Sequence, residues 1–103
     1  MGKNWYEEVS TPSLIVHHEE LTRNIETMAK VARDAKVNLR PHVKTHKCPE
    51  IARMQLDAGA GGICVATVGE AEVFATHGCD DILIANQVVE SHKMKRMIAR
   101  PRP

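Results

Sequence analysis

Nine consecutive residues, Leu39-Arg40-Pro41-His42-Val43-Lys44-Thr45-His46-Lys47, hold most of the side chains in this chain whose types and spacing suit chemistry. Polar and apolar residues alternate from Leu39 onward. If the segment is a strand, Arg40, His42 and Lys44 share one face while Leu39, Pro41 and Val43 share the other. A strand of a parallel sheet is normally apolar on both sides. A row of Arg, His and Lys survives there only where something anionic or reactive stands in front of it. Lys44 at the mouth of such a sheet is expected to be partly desolvated, which favours the neutral, nucleophilic amine.

The elements that must position this stretch can be read in order. Residues 13–16 form a short aliphatic run that suits a strand. From Glu19 the period changes: Leu21, Ile25, Met28, Ala29, Ala32 and Ala35 fall on one helical stripe, which predicts an amphipathic helix to about Lys36. Glu19 and Glu20 suit the positive end of its dipole, whereas His17 and His18 are poor caps. A strand over 37–44 and a turn over 45–48 follow. Pro49 suits the first position of a helix that stops at Gly59.

A strand is expected over 62–66. Thr67-Val68-Gly69-Glu70 has the form of a capping box, opening a helix that closes at Gly78. The apolar run 81–85 reads as another buried strand, and 90–99 as a helical stretch before Pro101 and Pro103. Residues 59–67 repeat the layout of 78–86 at an offset of 19: a helix-ending glycine, a buried strand and a polar residue at its end. Strands alternating with helices of this size predict an α/β fold with a parallel sheet. Such folds carry their functional groups beyond the carboxyl ends of the strands, where Lys44, Thr67 and Asn86 fall.

Length and composition bound the rest. The 103 residues are fewer than half of the ~250 of an ordinary α/β barrel. A net charge of +1 points to neither nucleic acid nor membrane. The basic residues Lys93, Lys95, Arg96, Arg100 and Arg102 lack interleaved aromatics, so a solvated end is the simpler reading. Cys48, Cys64 and Cys79 form no CxxC pair, which argues for a reducing, cytoplasmic setting with Cys64 and Cys79 in the core and Cys48 at the surface. The polar first residues carry no secretory signal, and no apolar run is long enough to span a bilayer.

The usual partner of an activated lysine is a carbonyl compound, and pyridoxal 5'-phosphate is the commonest cofactor that waits on one; the plain alternative is a solvated cationic loop. His42 suits a contact with a cofactor ring, and Arg40 a contact with an anionic group, against packing or a structural ion pair respectively. His42 and His46 lie four apart but have no third donor in register, so no metal site is expected of them. Thr67 reads as a helix cap rather than a catalytic hydroxyl.

Three segments taken together, Arg40-Pro41-His42-Val43-Lys44-Thr45-His46-Lys47, Gly62-Ile63-Cys64-Val65-Ala66-Thr67 with Glu70-Ala71-Glu72-Val73, and Asp80-Asp81-Ile82-Leu83-Ile84-Ala85-Asn86, resemble the D-threonine aldolase and D-serine dehydratase group. These are fold-type III pyridoxal phosphate enzymes with a barrel like that of alanine racemase. The resemblance runs from about Thr11 to Val89. It implies that residues 1–103 are the N-terminal part of a (β/α)8 barrel domain and that Lys44 is the amine that condenses with the cofactor. The lysine strand would be the first of the barrel, while the run 13–16 would join a separate C-terminal β domain.

The resemblance further implies a small-molecule substrate, a D-configured β-hydroxy amino acid that is cleaved or dehydrated with help from a divalent metal, and a homodimeric full-length protein. A racemase of the same fold type, or a non-catalytic pyridoxal-binding remnant, are the rival readings. The phosphate-binding loops, the second base and the metal-binding histidine of the group would lie past residue 103. The group has an acidic residue where His17 stands, and residues 94–103 do not look like the next barrel segment. The chain is thus expected to be roughly a third of an enzyme, either a fragment or the product of a gene truncated or frame-shifted near residue 90. It would be inactive alone and prone to self-association through open strand edges.

Overall fold

A computed structural model describes residues 4–99. After a 3-10 turn at Trp5–Glu7, four helices and two strands follow in the order α1 (His18–Ala35), α2 (Pro49–Asp57), β1 (Ile63–Val65), α3 (Val68–Thr76), β2 (Ile82–Ile84) and α4 (Ser91–Ile98). All four expected helices form, with ends shifted by a residue or two. The stripe on α1 is visible in the burial of Ala29 and Ala32. Its first turn has no side-chain cap, and its last turn is closed by Lys36 in the left-handed region at φ 58, with the Lys36 N–H donating to Ala32 and Arg33 carbonyls. Past α2, Gly59 takes a φ of 120, and past α3, Gly78 takes 91, as the role of a helix-ending glycine requires.

β1 and β2 pair in parallel, Ile63 with Ile82, Cys64 with Leu83 and Val65 with Ile84. The register is the offset of 19 at which the sequence repeats itself, so each repeat delivers one strand to the same height in the sheet. Alternation then separates the faces. Ile63 and Val65 are fully buried and join Val43, Ala52, Phe74 and Cys79 in the core, with Leu56, Ala71, Ile82 and Ile84 packed against it. Ala52 and Leu56 come from α2, Ala71 and Phe74 from α3. Two successive helices therefore cover the same face, as in a barrel. On the other face Leu83 is 52% exposed.

Two expected strands do not form. Residues 13–16 have no ladder among the described residues, and Leu14, Ile15 and Val16 are exposed; a β-prone run with no partner has nowhere to place its backbone donors except in water. The strand expected over 37–44 shrinks to one parallel bridge, His42 with Cys64. There the Cys64 N–H donates to the Pro41 carbonyl and the Val43 N–H to the Cys64 carbonyl, both at 2.8 Å. A continuing parallel ladder would next join the Ala66 N–H to the Val43 carbonyl. Instead Val43 accepts from Lys47 N–H at 2.8 Å, and Ala66 donates to Glu70 Oε1 at 3.0 Å. Below the bridge, the Leu39 carbonyl accepts from Gly61 rather than Gly62, which breaks the spacing at that end too. Among the described residues no helix is long and apolar enough to cross a membrane.

Candidate functional site

The register sets three levels on the face away from α2 and α3. His42, Cys64 and Leu83 form the middle level by direct pairing. Two residues earlier lie Arg40, Gly62 and Asp81; two residues later lie Lys44, Ala66 and Ala85. The β1–β2 ladder reaches the upper level, since the Ala85 N–H donates to the Val65 carbonyl at 3.0 Å. The later level is the carboxyl end of the strands, where parallel α/β folds place their chemistry.

Lys44 sits at that end, one residue past the fully buried Val43, in the turn over 43–46. Ala66 and Ala85 are the residues that follow β1 and β2 at the same end of the sheet. The amine takes part in no ion pair among the described residues. It is also exposed, which corrects the expectation of a partly desolvated lysine. The cause is local: the Val43 carbonyl closes the turn onto Lys47, and the described residues supply no wall over it. The turn itself is held from both sides. The Lys44 N–H donates to His42 Nδ1 at 3.3 Å, and Thr45 Oγ1 donates to the His42 carbonyl at 3.3 Å. In neutral His42 the ring proton is therefore on Nε2.

His46 faces the scaffold. Its Nδ1 accepts from the Cys48 N–H at 3.0 Å, which makes Nε2 the donor to Gln55 Oε1 at 3.1 Å. Both ring nitrogens are thus engaged in tying the turn to α2. Lys47, at a left-handed φ of 51, places Nζ 3.7 Å from Glu70 Oε2. Among the described residues no three His, Cys, Asp or Glu side chains cluster as a metal site would require.

Arg40 is at the other end. Its Nη1 donates to the Ile63 and Asp81 carbonyls at 3.0 and 3.2 Å, and its Nη2 to Asp81 Oδ1 at 2.8 Å. It crosses the start of β1 to reach the start of β2, and at ~3.3 Å per extended residue it stands up to about 13 Å from Lys44 along the chain. The sequence brings Arg40, His42 and Lys44 to one face, but the structure brings only His42 and Lys44 to one end. Gly62 is what lets the guanidinium pass: a Cβ built there would stand 2.5 Å from Arg40 Nη1 and 2.7 Å from the Asp81 carbonyl oxygen.

Two features escaped the reading of the sequence. Gly62 was legible only as part of a glycine run, although the repeat aligns it with Asp81. The capping box differs in a detail that matters: Thr67 Oγ1 accepts from the Glu70 N–H at 3.1 Å as expected, but the Glu70 carboxylate accepts from Ala66, not Thr67. A cleft of about 420 Å³ lies elsewhere, between Ala71 and Ala75 of α3, Ile82 and Ile84 of β2, and Arg96 and Met97 of α4. No residue of the 39–47 stretch lines it. The lysine turn, with its bonded geometry at the strand ends, is the better candidate for chemistry.

Comparison with known proteins gives concordant results. Residues 16–101 match the family described as alanine racemase, N-terminal domain. The match runs past residue 90, where the sequence suggested a break, and α4 at Ser91–Ile98 is packed on α3 through Arg96 and Glu72. D-threonine aldolase of an Arthrobacter species is 46% identical over 86 residues, covering 84% of this chain and 23% of that protein. D-threo-3-hydroxyaspartate dehydratase of a Delftia species is 43% identical over 77 residues, covering 75% of this chain and 20% of that protein. The crystal structure of D-threonine aldolase from Filomicrobium marinum superposes with a TM-score of 0.87 at 43% identity, over 89% of this chain and 25% of that one. The chain spans a quarter or less of the length of these relatives.

Proposed function

The chain belongs to the alanine racemase N-terminal domain family, and on that premise we propose that it is the lysine-bearing part of a pyridoxal phosphate lyase that acts on D-configured β-hydroxy amino acids. The observation that carries this reading is the position of Lys44: an exposed amine without an ion-pair partner among the described residues, in the turn that follows the His42–Cys64 bridge at the carboxyl end of the strands. The similar proteins include both an aldolase and a dehydratase of such substrates, so the proposal is for the class of lyase, with cleavage and dehydration as its two forms.

The residues present fit the aldehyde end of the cofactor. A primary amine is the donor that an aldehyde requires, and that of Lys44 is exposed. When bound, pyridoxal phosphate supplies an electron sink for the carbanion that forms as the substrate's bond breaks. Lys44 would hold the cofactor's carbonyl carbon. His42, with Nδ1 accepting from the Lys44 backbone, leaves Nε2 as the donor available to the ring or the substrate. Lys47 and His46 hold the turn through Glu70 and Gln55. Arg40 has its donors on Asp81 and Ile63 at the opposite end, and we assign it to the frame rather than to the cofactor, in place of the anion contact its sequence position suggested. The described residues offer no metal-ligand cluster, so no metal contact is assigned to them.

Incubation of the chain with pyridoxal phosphate, reduction with borohydride and peptide mapping tests the reading. The adduct is expected on Lys44. An adduct confined to other lysines, or spread evenly over Lys30, Lys36, Lys44 and Lys47, would overturn it.

A further inference from the structure

We infer that Glu70 is a positioning residue that decides which lysine of the Lys-Thr-His-Lys stretch is offered to a carbonyl ligand; this rests on the proposed function above and names a residue it does not include. The stretch holds two primary amines three residues apart in one turn, with no difference in intrinsic chemistry. What separates them is a single carboxylate. Glu70 Oε2 lies 3.7 Å from Lys47 Nζ, while Lys44 has no acidic group paired with it among the described residues. The Glu70 side chain is only 15% exposed, so the tie is made from a partly sheltered position rather than from a free surface group.

The same carboxylate also shapes the backbone. Its other oxygen takes the Ala66 N–H at 3.0 Å, the donor that would otherwise continue the ladder to Val43. With that donor occupied, the Val43 carbonyl is free to accept from Lys47 N–H, and the turn closes. No backbone group is orphaned by the change of partners, so opening the strand end costs little. Glu70 thus acts twice on one outcome: it lets Lys44 leave the sheet at the mouth, and it draws Lys47 toward the start of α3. The Glu70 N–H to Thr67 Oγ1 bond that caps α3 is made by the backbone, so side-chain substitutions at this position leave the cap itself in place.

Glu70→Gln and Glu70→Ala test the inference, with pyridoxal phosphate and borohydride as the probe. The lysine nitrogen bonds to the aldehyde carbon with loss of water, and borohydride then delivers a hydride to that carbon and leaves a stable secondary amine to be mapped. The ratio of label on Lys44 to label on Lys47 is the readout, with Lys36 as an internal reference for chains that have lost their fold. The ratio should fall about two- to fivefold in Glu70→Ala, the factor that corresponds to one lost ion pair with an exposed lysine. It should fall by less in Glu70→Gln, whose amide oxygen still accepts from Ala66. Exchange of the Ala66 amide, measured without cofactor, should be fast in Glu70→Ala and protected in Glu70→Gln.

An unchanged label ratio in both variants, or equal Ala66 exchange in all three chains, would overturn the role of Glu70. If Glu70→Ala does not fold, Glu70→Gln decides alone: a lowered ratio with a protected Ala66 amide supports the inference, and an unaltered ratio refutes it. Absence of label from Lys44 in the unsubstituted chain would instead refute the proposed function.

Discussion

Replacing Gly62 with alanine would put a methyl group where the Arg40 guanidinium crosses from β1 to β2. The new Cβ would stand 2.5 Å from Arg40 Nη1, 2.7 Å from the Asp81 carbonyl oxygen and 2.9 Å from Asp81 Cγ. The arginine end can move, but the carbonyl cannot do so freely, because it also accepts from the Ile63 N–H at 2.9 Å and belongs to the β1–β2 pairing. Overpacking of this kind costs about 1–3 kcal/mol, and the involvement of backbone puts Gly62→Ala near the upper end. Arg40→Ala removes three hydrogen bonds. The ion pair is exposed at 34% and 61% on its two sides, so it adds little and the total is about 1–2 kcal/mol.

The double variant separates the contacts. Without Arg40 the Nη1 overlap disappears while the carbonyl overlap stays, so the two costs should fall short of their sum by about 1 kcal/mol. Urea midpoints followed by far-ultraviolet circular dichroism, at unchanged slope, measure all four corners of the cycle. Additivity to within about 0.3 kcal/mol would refute the claim that Arg40 passes over Gly62.

Two further predictions concern single groups. Cys79 is 4% exposed and burial pushes its thiol above the ordinary cysteine value, so iodoacetamide under native conditions should modify the half-buried Cys48 first and leave Cys79 intact; equal modification by mass spectrometry would contradict the packing of α3 on the core. The hydrogen bonds from the Arg96 guanidinium hold the Glu72 carboxyl below the ordinary glutamate value. The folded form therefore binds fewer protons there than the unfolded form, so the stabilising contribution is present above the unfolded value and is lost as pH falls through the folded one. The protection factors of the α4 amides, which remove the intrinsic pH dependence of exchange, should be steady at neutral pH and fall as the pH drops through the carboxylate range; protection factors equal at neutral and acid pH would contradict it.

The parts of the fold legible in the sequence were those that local chemistry decides. The stripe on α1, Pro49 at the start of α2, Thr67 as the cap of α3 and the glycines that end α2 and α3 all act within a few residues of themselves. The parallel register was legible too, because the repeat carries it. The misread elements depend on distant partners. Alternation at 39–44 told which side chains share a face, yet whether a ladder forms there depended on Ala66, whose N–H goes to Glu70. The run 13–16 has strand composition and no strand to pair with among the described residues. Arg40 and Lys44 were expected on one face of a strand, but that strand shrinks to the bridge at His42: Arg40 ties down the amino ends through Asp81, and Lys44 stands in the turn beyond the bridge. Desolvation of Lys44 could not be read from its neighbours in sequence, because it depends on what covers the turn.

The central claim is that one amine of this chain, that of Lys44, receives the cofactor's aldehyde. The most direct measurement is the absorbance of lysine-bound pyridoxal phosphate when the cofactor is mixed with the unsubstituted chain, with Lys44→Ala and with Lys47→Ala. The band should appear in the unsubstituted chain, vanish in Lys44→Ala and persist in Lys47→Ala, whose side chain is tied to Glu70. Equal loss in both variants, or a band retained in Lys44→Ala, would contradict the account.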